Sequence, residues 1–233
     1  EPNYADAHNN IGNVLRELGQ LDSAISYYEK TLAINPQYIE AHYSLGSIFE
    51  DLGQLNSAVK CYEEVLVIKP EFAEMHNNLG VVLQNQGHLN EAVKHLEKAV
   101  TIKPDFAEAH NNLGNIRRDL DQYDSAISCY EKAISIKSNY AEAHFNLGTI
   151  LNQLGMLEAS IVSLEIAVSN KANYGEALHL LNALTGKTTK SPPKEYVENL
   201  FDDYANEFDN SLVKQLQYKL PFLLKELINK VAP

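Results

Sequence analysis

The chain has 233 residues and a formal net charge of −12 at pH 7. Lysine and arginine do not cluster as a phosphate-binding surface requires, so nucleic acid is excluded as a partner and basic or neutral protein segments are favoured. No apolar run approaches the roughly 20 residues that cross a bilayer, which argues against membrane insertion. Hydrophobic residues make up 45% of the chain, enough for a packed interior.

The sequence repeats itself every 34 residues, the distance between Gly12 and Gly46. Five full repeats run from about residue 5 to residue 172, and a sixth begins near Asn173 and breaks off. Glycine and histidine both follow this step. The two series are Gly12, Gly46, Gly80, Gly114 and Gly148, and His8, His42, His76, His110 and His144. A fixed period of this length is typical of stacked repeat proteins.

Each repeat is predicted to form two helices. In the first repeat, Ile11, Leu15 and Leu18 recur at helical spacing, and Gly19 ends this first helix. A second helix follows, for which we predict Asp22 as the N-cap residue. A proline then stops the second helix, because proline lacks the backbone donor that the helix needs.

Small residues predict how the two helices pack. Gly12 and Ala24 are expected at the point where the helices of one hairpin cross closely, since a larger side chain would push them apart. One pair of helices cannot bury both of its apolar faces. Stacking of neighbouring hairpins buries them, so stability becomes a sum over repeats and their interfaces.

The pattern Asn-Leu-Gly, then Gly-x-Leu/Tyr, then Ala-Ile/Val, then Pro resembles the tetratricopeptide repeat (TPR). The resemblance implies an all-α solenoid, a right-handed superhelix of antiparallel helix pairs, over residues 1–184, with five full repeats and a partial sixth helix. The departures from the family pattern include two in the first helices. A histidine takes the consensus tryptophan position in all five full repeats, and Arg117 stands where the other repeats have leucine or phenylalanine.

A second, polar stripe runs along the first helices. In the first repeat Asp6, Asn10, Asn13 and Glu17 are spaced four, three and four residues apart, which puts them on one helix face. In TPR arrays the first helices line the concave groove, so the resemblance implies that this stripe faces a ligand. The predicted peptide-binding residues are Asn10, Asn13, Arg16, Ser44, Asn78, Asn112, Asn115, Arg118 and Asn146.

Asparagine amides offer both donors and an acceptor, so a ladder of them could grip the backbone of an extended peptide with little regard to its sequence. The array of O-GlcNAc transferases is similar in this respect. Carboxylate-clamp TPR adaptors use lysine and arginine instead, and only Arg16 and Arg118 are expected in this groove. The alternative interpretation is that the asparagines merely help neighbouring helices to pack. Acids such as Glu108, three residues after Asp105, are interpreted mainly as capping-box residues.

The sequence predicts no catalytic, metal or cofactor site in this segment. Adjacent repeats stack about 8–10 Å apart, too far for two histidines in register to share a zinc ion. Gly186, Lys187 and Thr188 imitate the end of a phosphate-binding loop, whose first glycine is missing. Cys61 and Cys129 lie two repeats apart, beyond disulfide distance, and free thiols are typical of a reducing compartment, here the cytoplasm.

The period stops after Leu184. Residues 185–194 contain glycine and two prolines and are typical of a linker. Residues 195–233 are predicted to be helical, and the stretch from Pro193 to Ile228 resembles the lead-in to the catalytic domain of TPR-fused S-adenosylmethionine methyltransferases. That resemblance implies S-adenosylmethionine as a cofactor elsewhere in a longer parent chain. The alternative is that these helices cap the solenoid.

We therefore predict a protein-interaction module that holds a partner protein or an extended peptide, as part of a larger TPR-methyltransferase. One alternative is a stand-alone scaffold for a multiprotein assembly, with self-association through the open ends of the array. Another is the array of an O-GlcNAc-transferase-like enzyme, which is disfavoured because the segment after Lys190 does not resemble that enzyme's linker.

Overall fold

A computed structural model describes residues 4–187 of the chain. Within this range the chain forms eleven α-helices and no strand, so the predicted all-α class is confirmed. The helices are α1 (Tyr4–Glu17), α2 (Leu21–Ile34), α3 (Ile39–Asp51), α4 (Leu55–Ile68), α5 (Ala73–Asn85), α6 (Leu89–Ile102), α7 (Ala107–Asp119), α8 (Tyr123–Ile136), α9 (Ala141–Gln153), α10 (Leu157–Asn170) and α11 (Gly175–Thr185). The predicted segment 195–233 and most of the predicted linker lie outside the described residues.

The chain divides into two compact units, Glu1–Asn170 and Lys171–Pro233. The first contains five hairpins, repeats 1 to 5, each made of a first helix (α1, α3, α5, α7 or α9) and a second helix (α2, α4, α6, α8 or α10). The described part of the second unit contains α11, which ends at Gly186 in a left-handed conformation. None of the helices within residues 4–187 is both long and apolar enough to cross a bilayer.

The turn inside each hairpin needs a residue with positive φ. Gly53 has a φ of 68°, and the backbone N–H groups of Gly53 and Gln54 bond back to the carbonyls of Glu50 and Phe49. Repeat 4 has Asp121 at the equivalent place, with a φ of 57°. Aspartate tolerates this conformation better than most residues, which explains why the hairpin survives the loss of its glycine.

The second helices begin earlier than the sequence predicts. Gln20, not Asp22, is the N-cap residue of α2, and no side chain caps the helix. The prediction was wrong because the chain enters the helix directly after the glycine turn, and the carbonyl of Gln20 already accepts the first helical bond, from Ala24. Asp22 instead lies in the first turn, where its charge favours the positive end of the helix dipole.

The two helices of a hairpin cross at the predicted small residues. A Cβ atom added to Gly12 would lie 2.7 Å from Cε1 of Tyr28, and one added to Gly46 would lie 2.3 Å from Cε1 of Tyr62. Both tyrosines are buried, and so is Ala24. The predicted close crossing is confirmed, because a side chain at these glycines would collide with an aromatic ring that has no free space to enter.

Stacking buries the apolar stripe of each later first helix against the preceding hairpin. Leu45 and Ile48 of α3 are 4% and 0% exposed, and they pack in one cluster with residues of α2. The same positions in α1 are Ile11 and Val14, which are 42% and 55% exposed. The difference shows that the burial of this stripe depends on a neighbouring second helix.

Arg117 occupies the apolar position noted in the sequence without disturbing the stack. Its guanidinium pairs with Glu97 of the preceding second helix and donates to Oε1 of Gln122. An ion pair between repeats 3 and 4 therefore replaces the hydrophobic contact that leucine or phenylalanine provides in the other repeats.

Candidate functional site

Asparagine side chains join consecutive first helices. The amide of Asn112 donates to Oδ1 of Asn77 at 3.0 Å, and the amide of Asn146 donates to Oδ1 of Asn111 at 3.0 Å. These two bonds link α5 to α7 and α7 to α9, and both acceptors are buried. We call the four residues the amide seam. Part of the predicted ladder thus has the packing role that the sequence left as the alternative.

The geometry of a helix explains the 35-residue step of these bonds. Successive residues point about 100° apart around a helix axis. In an Asn-Asn doublet, such as Asn111-Asn112, the first residue faces the next repeat and the second faces the preceding one. A bond from the second residue of one doublet to the first residue of the preceding doublet therefore spans one repeat plus one residue, or 35 positions.

The same step continues at the C-terminal ends of the first helices. Nε2 of Gln84 donates to Oδ2 of Asp119 at 2.6 Å, again from repeat 3 to repeat 4. Arg118, a predicted groove residue, is itself bound to Oδ1 of Asp119 at 3.1 Å. Its positive charge is thereby partly neutralised, whereas Arg16, the other predicted groove arginine, is exposed in α1.

Two of the predicted groove asparagines hold the tyrosines of their own hairpins. The hydroxyl of Tyr28 donates to Oδ1 of Asn13 at 2.7 Å, and that of Tyr130 donates to Oδ1 of Asn115 at 2.9 Å. Burial raises the pKa of Tyr130 to about 12, so this hydroxyl remains a donor at any ordinary pH. Asn13 and Asn115 therefore serve helix packing with at least one of their polar atoms.

The seam is interrupted in repeat 2. The doublet there is Tyr43-Ser44, and Ser44 is buried while Tyr43 is 41% exposed. Asn78 of repeat 3 receives only a 3.3 Å bond from its neighbour Asn77. In repeat 1, Asn9 is 5% exposed and its Oδ1 has no hydrogen-bond partner among the described residues. Asn10, the last of the predicted groove residues, is exposed.

Acidic side chains dominate the first helices around this interruption. Helices α3 and α5 contain no lysine or arginine, and their acids are Glu40, Glu50, Asp51 and Glu74. The hydroxyl of Tyr62 donates to Oε2 of Glu50 at 2.9 Å, and burial together with Glu50 raises the pKa of that hydroxyl. The ring centroid of Tyr43 lies 6.3 Å from that of Tyr62.

The acids near the start of the first helices act as ties within and between repeats. Asp6 accepts a bond from the hydroxyl of Tyr38, and Glu74 pairs with Lys103 at 2.8 Å, which lowers the pKa of the Glu74 carboxyl. Glu108 pairs with Lys137 at 3.6 Å. The predicted capping box around Glu108 is not formed, because the N-cap of α7 is Phe106 and no side chain caps it.

The histidines in register contact backbone rather than one another. In repeats 2 to 5 the Nε2 atom lies 2.9–3.0 Å from the carbonyl oxygen six residues earlier, which fixes the first helix to the loop before it. The pairs are His42 with Pro36, His76 with Pro70, His110 with Pro104 and His144 with Ser138. Within residues 4–187 no three histidine, cysteine or acidic side chains gather as a metal site.

A cleft of about 740 Å³ lies between the second helices α4 and α6, outside the predicted groove. Apolar side chains such as Leu66 and Val67 line it together with His76 and His95, whose Nδ1 atoms are 3.0 Å apart.

Cys61 is a free thiol, and burial followed by the nearby charge of Glu64 raises its pKa to about 11. It is therefore protonated at neutral pH and is a poor nucleophile.

Sequence reasoning placed the asparagines on one face but missed what each one contacts. Asn77, Asn111, Tyr43 and Glu50 were not among the predicted residues. A usable signal was present, because Asn13 and Asn115 occur where the same hairpin has a tyrosine, and repeat 3 has valine where its second helix has Leu96.

Solved structures with the same fold include several repeat proteins. A crystal structure of MamA is 27% identical, with a TM-score of 0.65 over 70% of this chain and 95% of that one. YrrB, described as a TPR protein with an unusual peptide-binding site, is 22% identical with a TM-score of 0.61 over 74% and 89% of the two chains. PilF of Pseudomonas aeruginosa is 19% identical with a TM-score of 0.69 over 96% and 97%. The last two show the fold alone.

No curated protein sequence matches the chain. A family model described as TPR repeat matches residues 12–53, 46–87, 85–117 and 114–155. A second model, described as tetratricopeptide repeat, matches residues 141–174. These matches cover more than half of the chain and agree with the observed hairpins, and the chain belongs to the tetratricopeptide repeat family.

Proposed function

We propose that this protein is an interaction module that binds an extended segment of a partner protein along the polar face of its first helices. Proteins with this repeat generally bind proteins or peptides, and the YrrB structure, which has the same fold, is described by its peptide-binding site. The chain's net charge of −12 favours basic or neutral segments as partners.

The observation that carries this proposal is that asparagine amides on the polar face keep hydrogen-bond donors and acceptors that the protein itself does not use. Asn112 and Asn146 each give one bond to the seam, and an amide has two donors and one acceptor oxygen. Asn78 gives none to a neighbouring repeat, and Asn10 is exposed. These groups suit the repeating N–H and C=O groups of an extended backbone, with an affinity in the micromolar range, about −8 kcal/mol.

The test is capture of short synthetic peptides of varied sequence on an array, followed by fluorescence anisotropy with the best binder. The double variant Asn78→Ala/Asn112→Ala is expected to lose binding. It is also expected to melt at a slightly lower temperature, since Asn112 belongs to the seam.

The matched control is Asn111→Ala. Asn111 is 4% exposed and cannot reach a ligand, so this variant should lower the melting temperature while binding is retained. Unchanged peptide binding by the double variant would assign the amides to packing alone and overturn the proposal.

Two finer proposals rest on the sequence alone. The association with a methyltransferase, and with S-adenosylmethionine, depends on residues 193–228, which lie outside the described range, and the comparisons add no support to it. The parent sequence beyond Pro233 tests it, because a short Val/Leu-rich strand followed by Asp/Glu-x-Gly-x-Gly is expected there. A cytoplasmic location is the second, and fractionation of cells that express the parent protein tests it.

A further inference from the structure

The interruption of the amide seam in repeat 2 creates a surface unlike the rest of the polar face. The bond from Asn112 to Asn77 spans 35 residues, and the same step leads from Asn78 back to Tyr43. Tyrosine has no side-chain amide oxygen at this position, so it cannot accept the hydrogen bond that Asn77 accepts from Asn112. The amide donors of Asn78 are therefore not used between repeats. Tyr43, which is 41% exposed, is the residue that this register places opposite them.

A second, independent observation concerns the other side of α3, which faces α1. The step that joins Asn77 to Asn112 also leads from Asn9 to Ser44, and Oδ1 of Asn9 is buried without a partner among the described residues. A serine side chain is one atom shorter than asparagine and does not reach it. On each side of α3, therefore, an asparagine side chain lacks the bond to a neighbouring repeat that the amide seam makes between α5, α7 and α9. The two groups are the amide of Asn78 and Oδ1 of Asn9.

The charge of this surface selects the chemistry of an occupant. Glu50 borders the same buried ring as Tyr43, since Tyr62 donates to Glu50 and its ring lies against that of Tyr43. One seam step leads from Glu50 forward to Asn85 and back to Leu15, neither of which is basic, and among the described residues no ion pair joins Glu50 to Arg16, its counterpart in α1. A carboxylate beside an exposed aromatic ring suits a planar cation, which stacks on the ring and bonds to the oxygens.

We propose that Tyr43, Glu50 and Asn78, here named the Tyr43 subsite, bind an arginine-containing extended segment of a partner protein. The guanidinium group stacks on Tyr43 and pairs with Glu50, while Asn78 donates to a backbone carbonyl of the segment. The inference rests on the proposed function and adds to it both the place along the array and the side chain that is selected.

The experiment compares two fluorescein-labelled peptides that differ at one residue, arginine in one and its neutral analogue citrulline in the other, within an Ala/Ser backbone. Anisotropy titrations with the whole chain should give about tenfold tighter binding of the arginine peptide, for a combined stacking and ionic contact. High salt should reduce this ratio, because an exposed pair is screened.

Glu50→Gln should bring the ratio of the two affinities to about one, since glutamine retains an acceptor for Tyr62 but no charge. Tyr43→Ala should weaken binding of the arginine peptide by about tenfold. Glu63→Gln is the matched control: it removes the same charge from α4, away from the first helices, and should keep the preference. Melting curves check that each variant is folded.

The possible outcomes separate this inference from the proposed function. Equal binding of both peptides, or an arginine preference that survives Glu50→Gln, overturns the subsite while peptide binding by the polar face stands. Failure of these peptides and of the varied peptide array to bind at all removes both. Loss of the arginine preference in Glu63→Gln as well as in Glu50→Gln would reduce the effect to net charge and also overturn the subsite.

Discussion

The polar face has a closed half and an open half. From α5 to α9 the amides of neighbouring repeats bond to one another, through Asn77 with Asn112 and Asn111 with Asn146. From α1 to α5 they do not, because repeat 2 has Tyr43 and Ser44 in place of the doublet. The backbone repeat is the same in both halves, so two side chains decide whether an amide serves packing or is left for a ligand.

The difference is informative because repeat proteins add up their stability locally. Each hairpin contacts only its neighbours, so a change at one interface does not propagate along the array. A binding site can therefore be placed at one junction while the other junctions keep the fold. Four comparisons between variants test whether the two halves differ only at the seam, in order of decreasing expected effect.

The hairpin interiors should be equally tight in both halves. Gly46→Val and Gly114→Val should each lower the free energy of unfolding by about 3 kcal/mol, because the added side chain meets the buried ring of Tyr62 or Tyr130. Urea denaturation measures both. A much smaller loss for Gly46→Val would show that repeat 2 is loosely packed and that the seam is not the only difference.

The seam should matter only where it is closed. Asn111→Ala removes the acceptor of Asn146 and should destabilise the protein by about 1–2 kcal/mol. Asn9→Ala is the matched control, since Asn9 is equally buried but its Oδ1 has no partner within residues 4–187, and the loss of stability should be distinctly smaller. Equal losses would mean that Asn9 is bound in solution and that repeat 1 is not open.

Closing the open half should be possible with one substitution. Tyr43→Asn supplies the acceptor that Asn78 lacks, whereas Tyr43→Ala removes the same ring without supplying it. The asparagine variant should be more stable than the alanine variant by about 1 kcal/mol, the typical net value of one hydrogen bond. Thermal melts of the pair isolate this bond. No difference between them would refute the register that pairs residues 43 and 78.

The smallest expected effect is a loss of folding stability in acid that arises from His95 in repeat 3. Burial, and then the neighbouring His76, lower the pKa of His95. The folded state thus favours neutral His95. The folding stability associated with this preference is fully present above the unfolded pKa near 6.5 and is lost as the pH falls below that value. His95→Ser introduces the residue that repeat 5 has at this position.

Melting temperatures of the wild type and His95→Ser should therefore diverge between neutral pH and mildly acidic pH, with the wild type falling more. Histidines other than His76 keep their surroundings in both proteins and cancel in the comparison, so the difference reports the His76–His95 pair. Parallel curves would show that His95 keeps its ordinary pKa in the folded chain.

Much of the fold could be predicted from the 34-residue period of the sequence. The 34-residue step of Gly12 and Gly46 predicted the hairpins, their close crossing and the all-α class, because helical spacing and residue size are local properties. The N-cap at Asp22 was wrong, since the conformation after a glycine turn depends on one residue of register that propensity does not fix.

The sequence by itself determined which residues share the polar face. Only the tertiary structure decided their partners: Asn13 and Asn115 hold tyrosines, Asn112 and Asn146 hold the neighbouring helix, and Asn78 holds neither. The physical reason is that a side-chain amide is identical in each case. Its role is set by the residue opposite it. That residue lies 15 positions later in the same hairpin for Asn13 and Asn115 and 35 positions earlier, in the preceding repeat, for Asn112 and Asn146, and only the packing of the helices brings the two together.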